Sequence, residues 1–161
     1  MTSPTKTNAT RLLEAAGVPF TTLEYEVDES DLSGMHIAAQ LNLPPEQIFK
    51  TLVLMEEGKK KECLVCCIPT RDELDLKKVA RAFGVKKCDL IPMKDLKDLT
   101  GYIRGGCSPV GMKKKYPTIF DETAVLFDKI YVSAGIRGMQ IVIEPNALMK
   151  FVEAKTADLV K

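Results

Sequence analysis

The stretch Ile48-Phe49-Lys50-Thr51-Leu52-Val53-Leu54-Met55 constrains this chain more than any other. It has the length of a strand, and it carries one lysine. Alternate side chains of a strand share a face. Lys50 therefore stands with Ile48, Leu52 and Leu54, while Phe49, Thr51, Val53 and Met55 form the other face. Neither set is polar, so an interior strand covered on both sides is expected. An unpaired ammonium in such a place is costly; it reaches water, finds a partner or gives up basicity. Two readings of Lys50 follow. In one it lies near the strand's start and snorkels out at the sheet edge. In the other it projects into a cleft and handles an anionic or carbonyl group.

The residues after this run, Glu56-Glu57-Gly58-Lys59-Lys60-Lys61, predict a hairpin turn. The chain then returns as Cys63-Leu64-Val65-Cys66-Cys67-Ile68, antiparallel to the first strand. Cys63 and Cys66 have the spacing of a metal or redox pair. In a strand, however, residues three apart point to opposite faces, so the sulfurs diverge. They read as small buried hydrophobes. The cysteines number five (Cys63, Cys66, Cys67, Cys88, Cys107), and an odd set of free thiols fits a reducing compartment. No second CxxC and no histidine pair completes a zinc site. His36 is the only histidine, and no nucleophile motif accompanies it.

The remaining pattern alternates helix and strand. A first helix is expected over about Thr5 to Ala16, opened by Ser3-Pro4 and stopped by Gly17 and Pro19. Phe20 to Val27 reads as a strand, Asp28-Glu29-Ser30-Asp31 as a solvated acidic loop, Gly34 to Leu41 as a short helix, and Pro44 to Gln47 as a turn. Asp75 caps an amphipathic helix that ends at Gly84. Leu76, Val79, Ala80 and Phe83 face inward on it. Lys77, Lys78 and Arg81 face outward, as a solvated surface or as phosphate contacts. A short strand near Lys87 to Leu90 and a helix near Met93 to Leu99 come next. The segment Thr100 to Gly111 holds four glycines and a proline, so it is a tightly shaped loop or a connector. In the first case its backbone N–H groups can converge on an oxyanion. Strands at Thr118 to Asp121, Lys129 to Ala134 and Met139 to Ile143, a second tight turn at Gly135-Ile136-Arg137-Gly138, a helix from Pro145 to about Val152 and a helical turn in the tail complete the expectation.

At 161 residues the whole chain, 1–161, suits one domain with a real core. The net charge of +1 announces no polyanion partner by itself. Yet residues 1–50 hold three basic side chains against seven acidic ones, and the rest twenty against fifteen. One surface is therefore expected to be basic. No apolar run approaches the ~18 residues of a membrane span, and the N-terminus lacks a signal-peptide core. A cytoplasmic address and no membrane partner follow as expectations. There is no P-loop or dinucleotide fingerprint, so neither a cofactor nor a metal is expected. An enzyme of this composition works by positioning and electrostatics, with a nucleophile brought by its substrate.

Phe49-Lys50-Thr51-Leu52, then Leu76-Lys77-Lys78-Val79-Ala80, then Thr100-Gly101-Tyr102 with Gly105-Gly106 and Ser108-Pro109, then Lys113-Lys114, then Ile130-Tyr131-Val132-Ser133 with Arg137-Gly138, resembles the YbaK/EbsC family over nearly the whole chain. The resemblance implies a single α+β domain with a mixed, strongly curved sheet flanked by helices. It also implies trans-acting hydrolysis of mischarged aminoacyl-tRNA, with cysteine removed from proline tRNA in the YbaK branch and prolyl-tRNA synthetase as a partner.

Carried over by position, Lys50 is the essential lysine and Thr51 its pocket neighbour. Tyr25, Ser33, Gly105, Gly106, Ser133, Arg137 and Gln140 are implied at the substrate. The substrate's own thiol would attack its ester. Four positions depart from the pattern. Ser33 replaces an aromatic residue before Gly34, Ala134 and Ile136 replace a glycine and a lysine, and Gln140 stands where an acid is expected. The alternatives are a deacylase for another mischarged tRNA, such as alanyl, and a non-catalytic tRNA- or synthetase-binding module.

Overall fold

A computed structural model of the chain describes residues 6–59 and 62–161. The proposed Ser3-Pro4 helix start and Lys60 and Lys61 of the proposed hairpin turn lie outside the described residues. Helix α1 runs Asn8–Ala15, later than expected, because Thr7 and Thr10 exchange side-chain and backbone hydrogen bonds as a capping box. Strand β1 is Phe20–Glu24. It stops short of Val27, although Tyr25 N still donates to Gly138 O at 2.9 Å. Helix α2 is Gly34–Leu41, and a 3₁₀ turn at Pro45–Gln47 leads into β2, Phe49–Glu56.

Strand β2 pairs antiparallel with β3, Cys63–Pro69, and on its other edge with β4, Cys88–Leu90. It is interior, as its two apolar faces require. Phe49 and Val53 enter the main core with Cys63, Val65 and Cys67; Leu54 enters a second core with Leu64, Cys66 and Ile68. Cys63 and Cys66 thus lie on opposite faces of the sheet, and all five cysteines are free thiols.

The five-stranded sheet is completed by β5, Thr118–Asp121, and β8, Lys155–Ala157, in the order β4-β2-β3-β5-β8. The last two pairings are parallel, so the sheet is mixed. β8 corrects the expected helical turn in the tail. Its three residues carry no periodicity of their own, and pairing with Ile119–Asp121 fixes them as a strand. Asp121 also holds the tail, accepting from Leu159 N at 3.0 Å while buried.

A second, antiparallel sheet has the order β1-β7-β6, with β6 at Ile130–Ser133 and β7 at Met139–Ile143. A bridge between Ile48 and Tyr131 ties it to the start of β2. The main core fills the space between the sheets: Ile130, Val132, Ile141 and Ile143 meet Phe49, Val65 and Phe120 there. Helix α5, Pro145–Val152, closes this core with Leu148 and Met149.

Helix α3, Leu76–Phe83, has the cap and stop its sequence announces. Asp75 accepts from Lys77 N and Lys78 N, and Gly84 takes the left-handed conformation. It covers the opposite face of the five-stranded sheet, with Val79 and Ala80 in the second core. Two of its residues differ from expectation. Leu76 is exposed, being at the first turn. Lys78 is no free surface cation: its ammonium donates to Asp158 at 2.8 Å and to Val160 O at 2.6 Å.

Candidate active site

A cleft of about 340 Å³ opens where β2 begins, between α2, the glycine-rich loop and the second sheet. Its volume lies within the range for small-ligand sites. Lys50, Thr51, Ser33, Gly105, Ser133 and Gln140, all expected at the substrate, line it together.

Lys50 is half-buried. Its ammonium lies 3.5 Å from Thr70 O, at the limit of a hydrogen bond, and among the described residues no carboxylate stands within 4 Å. Burial lowers its basicity below the ordinary 10.5, and the more distant charges of Glu73 and Asp72 partly oppose that. Lys50 is therefore a partly dehydrated cation facing open space, the state in which a charge acts most strongly on a ligand. It does not snorkel to a free edge: it pairs with Ile68 of β3 and its side chain lines the cleft.

Thr70 sets the lysine's surroundings. It follows β3, donates its N–H to Ile48 O at 2.7 Å, and is buried. Its hydroxyl packs against the first turn of α2 so closely that a Cβ on Gly34 would lie 1.9 Å from Oγ1. Only glycine lets α2 come this near. Ser33 caps that helix, accepting from His36 N at 3.3 Å. The acidic loop before it is held by its own serines. Asp28 and Asp31 lie below the usual carboxylate range because Ser30 and Ser33 hydrogen-bond them.

The glycine-rich loop is shaped rather than slack. Gly105 takes φ +85, and a Cβ there would meet the Arg137 Nε at 3.3 Å and Leu32 at 3.4 Å. A Cβ on Gly106 would press on the backbone of Ile136 and Arg137 at 3.2–3.3 Å. Arg137 fixes the arrangement by donating from Nε to Arg104 O at 2.8 Å. Tyr102 underpins it. Its hydroxyl donates to Val110 O and would lie 2.9 Å from a Cβ on Gly111, and its ring 2.9 Å from a Cβ on Gly135, so the side chain fills room that neither glycine uses. Gly106 N–H is taken by Ile103 O, while Gly105 N–H has no acceptor among the described residues and sits at the cleft.

Three expected residues lie elsewhere. Tyr25 packs with Ile37, Ala38 and Ile48 beneath α2. Gly106 and Arg137 brace the loop from behind and do not line the cleft. The cleft's remaining polar groups are mostly engaged. Ser133 Oγ accepts from Gly135 N at 3.1 Å, and Thr51 Oγ1 shares a hydrogen with Cys67 Sγ at 3.6 Å. Gln140 is buried, and its Oε1 has no partner among the described residues. The structure adds Thr70, Gly34, Leu32, Arg104 and Cys107. Thr70 is legible from the hairpin register, which sets it across from Ile48. Nothing in the sequence marks Cys107. Burial pushes its thiol up to about 12, so it is a poor nucleophile at neutral pH.

Among the described residues no group of three or more His, Cys, Asp or Glu side chains converges to hold a metal ion. No helix among the described residues is long and apolar enough to cross a membrane.

Comparison with known proteins adds to this geometry. The model of the aminoacyl-tRNA editing domain matches residues 35–151. EbsC of Enterococcus faecalis, named as a candidate Cys-tRNA(Pro)/Cys-tRNA(Cys) deacylase, is 46% identical over 154 residues, covering 96% of this chain and 93% of that protein. Two crystal structures share the fold. One is of a hypothetical protein (TM-score 0.84, 22% identity, covering 94% of this chain and 97% of that one). The other is of a candidate trans-editing enzyme for prolyl-tRNA synthetase (TM-score 0.81, 23% identity, covering 98% and 99%).

Proposed function

The chain belongs to the aminoacyl-tRNA editing domain family, and from that premise we propose that it hydrolyses the ester of cysteine mischarged onto proline tRNA, acting in trans beside prolyl-tRNA synthetase. The observation that carries the reading is the cleft's combination of a half-buried, carboxylate-free Lys50 with no activated nucleophile of its own. Ser33 and Ser133 are engaged with backbone N–H groups, and the Cys107 thiol is held protonated by burial. A cysteinyl ester supplies what the protein lacks. Its thiolate attacks its own carbonyl carbon, and the carbonyl π electrons move onto oxygen. That oxyanion is stabilised by the Lys50 ammonium and the Gly105 N–H. Collapse expels the ribose oxygen, which takes a proton, and water opens the resulting thiolactone to free cysteine.

Selectivity then follows from chemistry. Alanyl and prolyl esters have no internal thiol, whereas a pocket distinguishing one methylene gains only about 1–3 kcal/mol. The same ester occurs in both substrates in the EbsC name. The cleft reads cysteine and its ester, and proline tRNA is selected by the synthetase beside it. The test is deacylation of proline tRNA carrying Cys, Ala or Pro by wild type and Lys50→Ala. Clearance of the cysteinyl ester alone, abolished in Lys50→Ala, is expected. Equal clearance of alanyl ester overturns the thiol mechanism. No clearance by folded wild type overturns the enzyme reading.

A further inference from the structure

Basic residues are not spread evenly over the surface. Lys6, Lys59, Arg71, Lys87 and Lys161 each have a carboxylate within 4 Å. Lys94, Lys97, Arg104 and Lys113 are exposed without such a partner among the described residues, as are Lys77 and Arg81 on α3. What sets the four apart is their place beside the cleft, whereas Lys114 lines a separate pocket with Tyr116, Phe151 and Val152.

Lys94 lies in a 3₁₀ turn, Met93–Asp95, and Lys97 in helix α4, Leu96–Thr100. Their neighbours Met93 and Leu96 line the cleft, as does Arg104. Lys113 folds back on the end of α4. Its N–H donates to Thr100 O at 3.1 Å, its ammonium to Asp98 O at 3.3 Å, and its side chain packs at Gly101. Tyr116 donates to Leu99 O at 2.6 Å. The carbonyl end of α4 would repel an anion, and Lys113 and Tyr116 occupy it. Another edge of the cleft, at Leu32 and Ser33, follows the acidic residues Glu26, Asp28, Glu29 and Asp31. A polyanion whose end enters the cleft is admitted along the basic edge and repelled at the acidic one.

We infer that the strip formed by Lys94, Lys97, Arg104 and Lys113 holds the phosphate backbone of the RNA whose aminoacylated 3′ end enters the cleft, an inference that rests on the proposed function for the identity of that RNA. The strip contacts phosphates and reads no base sequence, so its contribution is uniform and salt-sensitive. It supplies locally the attraction that a net charge of +1 does not supply globally.

The test uses the full chain and uncharged proline tRNA, whose binding needs no turnover. Lys94→Glu with Lys97→Glu is compared with Lys77→Glu plus Arg81→Glu, on α3 across the sheet. The strip pair is expected to raise Kd at least about tenfold at low salt and to flatten the log Kd–log salt slope by about 1.5, as loss of two phosphate contacts requires. The α3 pair is expected to bind like wild type. The strip pair should also turn over cysteinyl-adenosine, which has no phosphate, at the wild-type rate. Unchanged tRNA binding, an equal loss in the α3 pair, no measurable tRNA binding by wild type, or an equal loss on cysteinyl-adenosine would each overturn the inference. A wild type that binds tRNA through the strip but clears no ester would leave the surface standing and remove the proposed reaction.

Discussion

Replacing Cys107 by alanine decides whose sulfur attacks the ester. In the proposed reaction two thiols would meet in the cleft, that of Cys107 and that of a bound cysteinyl group. Burial pushes Cys107 up to about 12, so at about pH 7.5 roughly 3 in 100,000 of its thiols are ionised. A substrate thiol with the ordinary value of about 8.5 is ionised in about one molecule in ten, a ratio of about 3,000. The more basic sulfur is the better nucleophile per thiolate. A Brønsted slope of about 0.4–0.5 over this difference returns about 25- to 60-fold. The substrate's sulfur keeps an advantage of about 50- to 100-fold before any gain from intramolecularity. Cys107→Ala is therefore expected to keep kcat on cysteinyl proline tRNA within about threefold. Its side chain packs only partly against the main core, so a stability loss of about 1 kcal/mol is expected. Single-turnover deacylation and a thermal melt on the same preparation measure both. A fall of fiftyfold or more in rate with an unchanged melt would refute the reasoning and make Cys107 the nucleophile.

Lys50→Met should abolish turnover while raising stability near neutral pH. Burial lowers the lysine's folded-state pKa below its unfolded 10.5. The unfolded chain thus binds more protons between those values, and the lysine's penalty is full below the window and fades as pH rises through it. The gap in urea midpoints between Lys50→Met and wild type should narrow toward pH 10; a constant gap counts against the dehydrated cation. Gly34→Ala should cost about 1–3 kcal/mol by overpacking against Thr70 and lower activity too, because Thr70 O faces the Lys50 ammonium. A double-mutant cycle with Thr70→Gly should reveal strong coupling, and simple additivity would argue against the contact. Asp121→Ala leaves Leu159 N without its acceptor. It should cost about 2–3 kcal/mol in a urea titration, with hydrogen exchange rising first in the tail.

The hairpin of β2 and β3 was legible because both strands lack a polar face, and an interior position is the only one that satisfies them. The cap at Asp75 and the stops at Gly84 and Gly17 were legible because local chemistry decides them. β8 was not, since Lys155, Thr156 and Ala157 become a strand only through a neighbour more than thirty residues away. A still larger separation, 80 residues, hid the tie from Lys78 to Asp158, which turned an apparently solvated face into an anchor. At the site, Lys50 was legible from its place in an apolar strand, while Thr51, Ser133 and Gly105 came from the family resemblance, and the fold brings all four to the cleft. Sequence order could not separate the residues facing the cleft from those bracing it. Arg137 and Gly106 brace the loop behind the cleft rather than lining it, and Cys107, which no motif marks, lines it.

The side chain of Tyr102 gives this loop an unusual heredity. Because the side chain occupies space that Gly111 and Gly135 leave empty, the three positions share a single allotment of volume across two loops that are distant in sequence. Neither glycine can acquire a side chain while the tyrosine stays, and losing the tyrosine first would open a void under the cleft. Both glycines also hold left-handed backbone, at φ +81 and +99, and Asn8 and Leu12 crowd Gly111 as well, so losing the tyrosine does not by itself free either to take a side chain. Related chains that keep the tyrosine should therefore keep both glycines with it.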